Sequence, residues 1–313
     1  MRLLKKPFFY AVIFAIVLTS FTAYVLLDTF VLATKIETVS STTVTDSSSS
    51  QSGTAQLSDT SVNAAVQQAV ATGTSYKDDN ISVNITTIRK YDTDVYIADV
   101  TVSSAEYLKT AFAQSTYGTN VTATTSATAS ANSAVLAING DFYGANKRGY
   151  VIKNGQLYRD TARDTSYEDL VIYDDGSFGF INESEVSAQD LVADGVQQLF
   201  AFGPTLIKDG TIAVSENDEV QRSSGNGNPR TAIGIVDDLH YVFVVSDGRT
   251  SESAGLTLYE LAQIMKDYGC TAAYNLDGGG SSTMVFNGEV INNPTTNGNR
   301  ISEREVSDIV YIG

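Results

Sequence analysis

Residues 257–282 read TLYELAQIMKDYGCTAAYNLDGGGSS, and this stretch sets how the rest of the chain is read. Thr257 offers a hydroxyl to cap a helix, and Glu260, three residues on, completes a capping box. Leu258, Leu261, Ile264, Met265 and Tyr268 then form an apolar stripe at helical spacing, and Gly269 supplies the stop. Residues 270–276 (CTAAYNL) read as a buried strand whose end delivers Asp277 into three glycines and two serines. Helix, strand, carboxylate, glycine turn and a further strand make a site-like order.

Outward from there the chain reads mainly as hairpins. Residues 81–88 (ISVNITTI) and 95–102 (VYIADVTV) alternate apolar and polar side chains, the pattern of strands with one buried face. Asn154-Gly155, between VIK and QLY, and Asn287-Gly288, between MVF and EVI, suit type I′ turns, with Asp209-Gly210 and Asp175-Gly176 as weaker versions. No solenoid-length repeat occurs. Hairpins outnumber helices, which predicts an α+β domain of mixed, hairpin-rich sheets packed with a few helices rather than a doubly wound fold.

The first quarter of the chain differs. Residues 8–27 (FFYAVIFAIVLTSFTAYVLL) are 20 residues without a charge, the length an α-helix needs to cross a bilayer core. Arg2, Lys5 and Lys6 precede them and Asp28 follows, so the bias of basic residues puts the N-terminus inside and the body outside. A cleaved signal peptide is the rival, with small residues near Ala33 as its cleavage site. In residues 40–50 (SSTTVTDSSSS) nine of eleven are Ser or Thr, a composition that cannot offset its ordering entropy. The expected division is therefore a cytoplasmic tip and anchor over 1–33, a disordered stalk over 34–75 with a weak helical patch at 62–71, and a catalytic domain over 76–313.

Composition narrows the function classes. Without Arg2, Lys5 and Lys6, the body carries 17 basic against 36 acidic residues, a balance that repels nucleic acid. Cys270 is the single cysteine and His240 the single histidine, so an intrachain disulfide and a zinc site of several Cys and His ligands are both impossible. Cys270 reads as an inert buried thiol. His240, in strand sequence with no GxSxG elbow in the chain, reads as structural rather than as the base of a serine hydrolase.

Asp277-Gly278-Gly279-Gly280-Ser281-Ser282 is the first candidate site. Consecutive glycines serve where the backbone needs positive φ or close approach, and their N–H groups can form an anion-binding concavity; a plain glycine turn beside a strand is the other reading. Arg230, Arg249 and Arg304 stand in loops at strand ends, where a guanidinium fork could take a phosphate or simply pair on the surface. Asn139-Gly140-Asp141 follows the apolar run AVLAI, which makes Asp141 a second acid or a turn former. A metal held by Asp141, Asp247 and Asp277 is a further reading, although hard cations usually gather more carboxylates than these.

Taken together, Asn139-Gly140, Phe202-Gly203-Pro204 with Leu206, Pro229-Arg230-Thr231-Ala232-Ile233-Gly234, Asp247-Gly248-Arg249, Glu260-Leu261-Ala262, residues 275–282 and Arg304 with Val306-Ser307 occur in an order that resembles the phosphodiester glycosidase family. The resemblance runs from about Ile85 to the C-terminus. It implies cleavage of a sugar-1-phosphodiester of the N-acetylglucosamine 1-phosphate type, in surface glycan or exopolysaccharide metabolism, without cofactor or metal. It also implies catalytic roles for Asp277, Asp141 and Asn275, and substrate or phosphate binding by Asn139, Gly140, Arg230, Thr231, Asp247, Arg249, Gly278, Gly279, Gly280, Ser281, Ser282 and Arg304. The reaction suits that inventory: a phosphomonoester leaves without full protonation, so no histidine acid is needed, whereas the developing oxocarbenium ion needs a carboxylate. The partners expected are a phosphorylated glycan and, through the anchor, a membrane. A non-catalytic surface module that holds such a glycan is the alternative.

Overall fold

A computed structural model describes residues 7–30, 33–35, 70–163, 167–219 and 227–313, with side chains of the first helix described over 11–27. Most of the expected stalk, including 62–69 of the helical patch, lies outside the described residues. The ends that are described make strands: Thr34–Lys35 pairs with Gly118–Thr119, and Val70–Ala71 pairs with Ser75–Lys77.

Of the five antiparallel sheets among the described residues, the two largest form the stacked body. The larger has nine strands, in spatial order Thr211–Ile212, Thr205–Lys208, Ala272–Asn275, Thr231–Asp237, His240–Ser246, Thr93–Val102, Ile81–Lys90, Ser75–Lys77 and Val70–Ala71. The smaller has five, in order Glu289–Val290, Met284–Phe286, Leu136–Asn139, Asp308–Ile312 and Leu108–Phe112. Strand periodicity dictates how they stack. Ala98, Val100 and Val102, Tyr241, Phe243 and Val245, and Ile233 and Ile235 point inward, where they pack with Leu136, Ile138, Val310 and Ile312 of the smaller sheet. Their alternates, Val95 and Ile97, Val242 and Val244, and Ala232, face the helix Leu258–Asp267 on the outer side. The short helix Thr125–Ala131 covers the outer face of the smaller sheet, with Ala129 against Ala137, Val285 and Ile309. The result is a helix, sheet, sheet, helix stack.

Helix 258–267 forms as its sequence requires. Thr257 accepts from the Glu260 N–H while Glu260 accepts from the Thr257 N–H, and Gly269 leaves the helix at φ +83°. Such a cap contributes about 1 kcal/mol. Burial of Leu258, Leu261, Ile264 and Met265 at about 1.5–3 kcal/mol each outweighs it, so the apolar stripe, not the cap, holds the helix in place. Cys270 packs in the same layer, and burial pushes its thiol up to about 12, as expected of an inert cysteine. His240 sits at the far end of its strand, with Nε2 3.1 Å from Asp99 Oδ1 at the surface.

At the N-terminus a helix spans Pro7–Phe30, and its described side chains, Phe14 and Phe21 among them, are exposed. Among the described residues no helix is long and apolar enough to cross a membrane, so the span over 8–27 remains an expectation of the sequence.

Candidate active site

The site forms where the two sheets meet. Strand Ala272–Asn275 ends beside the start of Thr231–Asp237 and the end of His240–Ser246, which brings Asp277, Arg230 and the loop 247–249 to one edge of the larger sheet. Strand Leu136–Asn139 of the smaller sheet arrives at the same place. Asn139 Nδ2 donates to the Asp277 carbonyl at 2.6 Å, and the Asp277 N–H donates to the Gly140 carbonyl at 3.2 Å. Thr231 Oγ1 donates to Asn139 Oδ1 at 2.8 Å, which fixes the Asn139 amide. Asn139 and Thr231 are fully buried; they stitch the sheets together and set the height of Asp277.

A cleft of about 300 Å³ opens at this seam, lined by Phe142, Phe202, Asn228, Arg230, Arg249, Asn275, Asp277, Gly278, Gly279 and Arg304. Asp277, 8% exposed, is its carboxylate. Ser281 Oγ donates to Asp277 Oδ2 at 2.5 Å, and Arg304 Nη2 lies 3.1 Å from the same oxygen. Arg304 also donates to Ser281 Oγ from Nε at 3.0 Å and from Nη2 at 2.5 Å, so guanidinium, hydroxyl and carboxylate form one unit. Burial raises the Asp277 carboxyl above its ordinary value, with Arg304 and Ser281 pulling the other way.

The three arginines differ in their partners. Arg230 is 4% exposed; its Nη2 lies 2.5 Å from Glu219 and its Nε donates to the Leu256 carbonyl at 2.9 Å. Its charge is already balanced within the fold by Glu219, although the residue lines the cleft. Arg249 instead donates to Asn228 Oδ1 from Nε and Nη2, at 3.1 and 2.9 Å, and from Nη1 to the Thr296 carbonyl at 2.5 Å. Among the described residues no carboxylate pairs with it. Burial, then the positive charges of Arg304 and Arg230, push its guanidinium below the ordinary value. A cation with no carboxylate partner among the described residues, within reach of two further arginines, attracts an anion.

The glycines make room for their neighbours, and part of the run's N–H groups is already engaged. The N–H groups of Gly279, Ser281 and Ser282 donate to the carbonyls of Pro229, Gly278 and Gly279. A Cβ at Gly278 would stand 2.9 Å from the Pro229 carbonyl oxygen, at Gly279 2.9 Å from Arg249 Nη2, and at Gly280 2.5 Å from Thr296 Oγ1. Gly279 also needs φ +62°. The run is bare so that the arginine loops can close over it. Ser282 lies beneath, fully buried, its carbonyl accepting from Asn292 Nδ2 at 3.0 Å.

Two expected acids are committed elsewhere. Asp141 is 1% exposed; it accepts from the N–H groups of Ala201 at 3.0 Å and Tyr143 at 3.1 Å, and Lys153 Nζ lies 3.5 Å away. Lys153 also approaches Asp308 at 2.9 Å, and a Cβ at Gly140 would collide with that Asp308 carboxylate at 2.2 Å. Asp141 is thus part of a buried ionic cluster that braces the seam, and it does not line the cleft. Asp247 accepts from the Asn293 N–H and Nδ2, both at 2.8 Å, which anchors the loop carrying Arg249. Among the described residues no three His, Cys, Asp or Glu side chains gather as metal ligands, so the reading of Asp141, Asp247 and Asp277 as joint ligands has no geometry behind it.

Phe142, Phe202 and Asn228 line the cleft, and sequence reasoning gave none of them a role in the site. Phe202 stands within the quoted Phe202-Gly203-Pro204, while Phe142 and Asn228 adjoin Asn139-Gly140-Asp141 and Pro229-Arg230. Phe142 is 43% exposed and held at φ +69° between the buried Asp141 and Tyr143. Glu219, the partner of Arg230, lines a second depression of about 400 Å³ with Glu168 and Asp218; those carboxylates suit no anionic ligand.

Comparison with known proteins places this geometry. The family model described as Phosphodiester glycosidase matches residues 132–313, more than half of the chain. A prophage-derived uncharacterized protein, YomE, of Bacillus subtilis is 35% identical over 181 residues, covering 56% of this chain and 28% of that protein. Mouse N-acetylglucosamine-1-phosphodiester alpha-N-acetylglucosaminidase is 34% identical over 128 residues, covering 37% of this chain and 24% of that enzyme. The chain therefore spans about a quarter of the length of these relatives. Among solved structures, the zebrafish catalytic domain of the same enzyme, auto-inhibited by its pro-peptide, superposes with a TM-score of 0.59 at 22% identity, covering 74% of this chain and 82% of that one. A hypothetical protein from Synechocystis gives 0.51 at 16% identity, covering 75% and 62%. At those identities the likeness is one of fold.

Proposed function

The chain belongs to the phosphodiester glycosidase family, and from that premise we propose that it hydrolyses a sugar-1-phosphodiester of the N-acetylglucosamine 1-phosphate type, cutting between the anomeric carbon and the phosphate ester oxygen. One observation carries the reading: a buried carboxylate, Asp277, opens into a cleft with Arg304 and with Arg249, whose charge no described carboxylate balances. Asp277 serves the anomeric centre, where positive charge develops as the bond breaks. Arg249 and the outward part of Arg304 hold the phosphate, which leaves as a monoester dianion stabilised by positive charge rather than by a proton. Water bonds to the anomeric carbon and gives up a proton to solvent, so the products are the free sugar and the phosphomonoester.

Incubation with an N-acetylglucosamine-1-phosphodiester, with and without chelator, tests this. Free sugar released equally in both is the expected result. Binding without release would replace the enzyme by a glycan-holding module, and release lost only in chelator would overturn a mechanism resting on side chains alone.

From the sequence we further propose that the uncharged run 8–27 anchors the chain in the cell membrane with the catalytic domain outside, acting on surface glycan or exopolysaccharide. Support comes from the uncharged run 8–27, the basic residues before it and the exposure of Phe14 and Phe21. Protease added to intact cells should release a soluble fragment. A body that stays protected overturns the orientation.

A further inference from the structure

Asn275 closes the strand that leads to Asp277, and both residues, two apart in sequence, line the cleft. Asn275 is 1% exposed. Its Nδ2 donates to the Gly203 carbonyl at 2.8 Å, and its own N–H and carbonyl pair with Pro204 and Gly203. That contact fixes which way the amide faces, because the opposite orientation would set Oδ1 against the Gly203 carbonyl oxygen. Oδ1 is then a buried acceptor that no donor among the described residues reaches. Buried polar atoms are rarely left so, since an unmade hydrogen bond forfeits solvation without return.

The chemistry of that atom selects its partner. Oδ1 can only accept, so a phosphodiester, which carries acceptors alone, is repelled from it. The phosphate therefore belongs on the Arg249 and Arg304 side of the cleft, and the glycosyl ring on the Asn275 side, where Phe202 adds an apolar wall. We infer that Asn275 Oδ1 is a specificity-determining acceptor for a neutral donor, hydroxyl or amide N–H, on the ring carbon next to the anomeric carbon of the bound glycosyl group. The adjacency follows from Asp277, the neighbour of Asn275 in this cleft, serving the anomeric carbon, so the inference rests on the function proposed above.

The test pairs an N-acetylglucosamine-1-phosphodiester with its 2-deoxy counterpart, on wild type and on Asn275→Leu and Asn275→Asp. Because 2-deoxy sugars differ in intrinsic reactivity, the readout is the ratio of kcat/KM between the two substrates, compared across proteins so that reactivity cancels. Wild type should favour the parent by roughly 100-fold more than Asn275→Leu does. Asn275→Asp keeps an acceptor and loses the Gly203 contact, so it should retain most of the discrimination; a purely structural role would make it fail as Asn275→Leu does. Competitive inhibition of wild type by free N-acetylglucosamine and by 2-deoxyglucose needs no variant, and the former should bind at least about tenfold tighter. Equal ratios in all three proteins, or equal inhibition constants, overturn the assignment while leaving the glycosidase reading in place. Absence of turnover of the parent diester by wild type removes that reading itself.

Discussion

Asp277→Asn is expected to lower kcat by roughly three to five orders of magnitude while leaving affinity for a sugar phosphate nearly unchanged, because it removes a charge needed only as the transition state develops. The same substitution is expected not to lower thermal stability at neutral pH. Burial raises the folded-state pKa of Asp277 above its unfolded value, so the folded protein binds more protons than the unfolded one between those two values. Stability attached to this group is then present at low pH and lost as pH rises through the folded pKa. Where the carboxylate is charged in the fold it is a burden that a neutral amide of equal size removes, and Arg304, 40% exposed on its side chain, keeps its charge in water. Thermal unfolding across pH 4–8 beside steady-state kinetics checks both parts. Turnover near wild type would take Asp277 out of the chemistry, and an early-unfolding variant would assign it a structural role instead.

What was legible in the sequence is local. Asn154-Gly155 and Asn287-Gly288 both take positive φ at both positions, as type I′ turns demand, and so does Asp209-Gly210. The capping box at Thr257 and the alternation in 81–88 and 95–102 became the helix and hairpin they describe. Each depends on residues a few positions apart. The stacking of the two sheets does not, since Leu136 and Val100 meet only through the whole topology. The site divides the same way. Residues 275–282 name the carboxylate and its glycine turn, but whether Asp141, Asp247 or Arg230 is free to act depends on Lys153, Asn293 and Glu219. No local pattern announces such pairings. Phe142, which follows Asn139-Gly140-Asp141, carries no local sign of its place in the cleft; its φ of +69° and its exposure between buried neighbours emerge only in the fold.

Arg304→Ala and Arg249→Ala are expected to part company, and their difference identifies the state in which Asp277 works. Both remove positive charge from the cleft and should weaken a bound phosphosugar by about 2–5 kcal/mol, with Arg304 toward the lower end because water screens it. Arg304 alone touches Asp277, and its charge is the leading influence that holds that carboxyl down against burial. If Asp277 acts as an anion at the anomeric centre, kcat falls as pH drops through its pKa. Removing Arg304 then moves this acid limb to higher pH, whereas Arg249→Ala leaves it in place. Were Asp277 a proton donor, activity would fall as pH rises, and Arg304→Ala would carry the alkaline limb upward instead. A pH profile of kcat for the three proteins separates the cases. An Arg304→Ala limb that does not move at all would show that the contact between Nη2 and Oδ2 at 3.1 Å has no part in the working enzyme, and Asp277 would have to be set by burial and Ser281 alone.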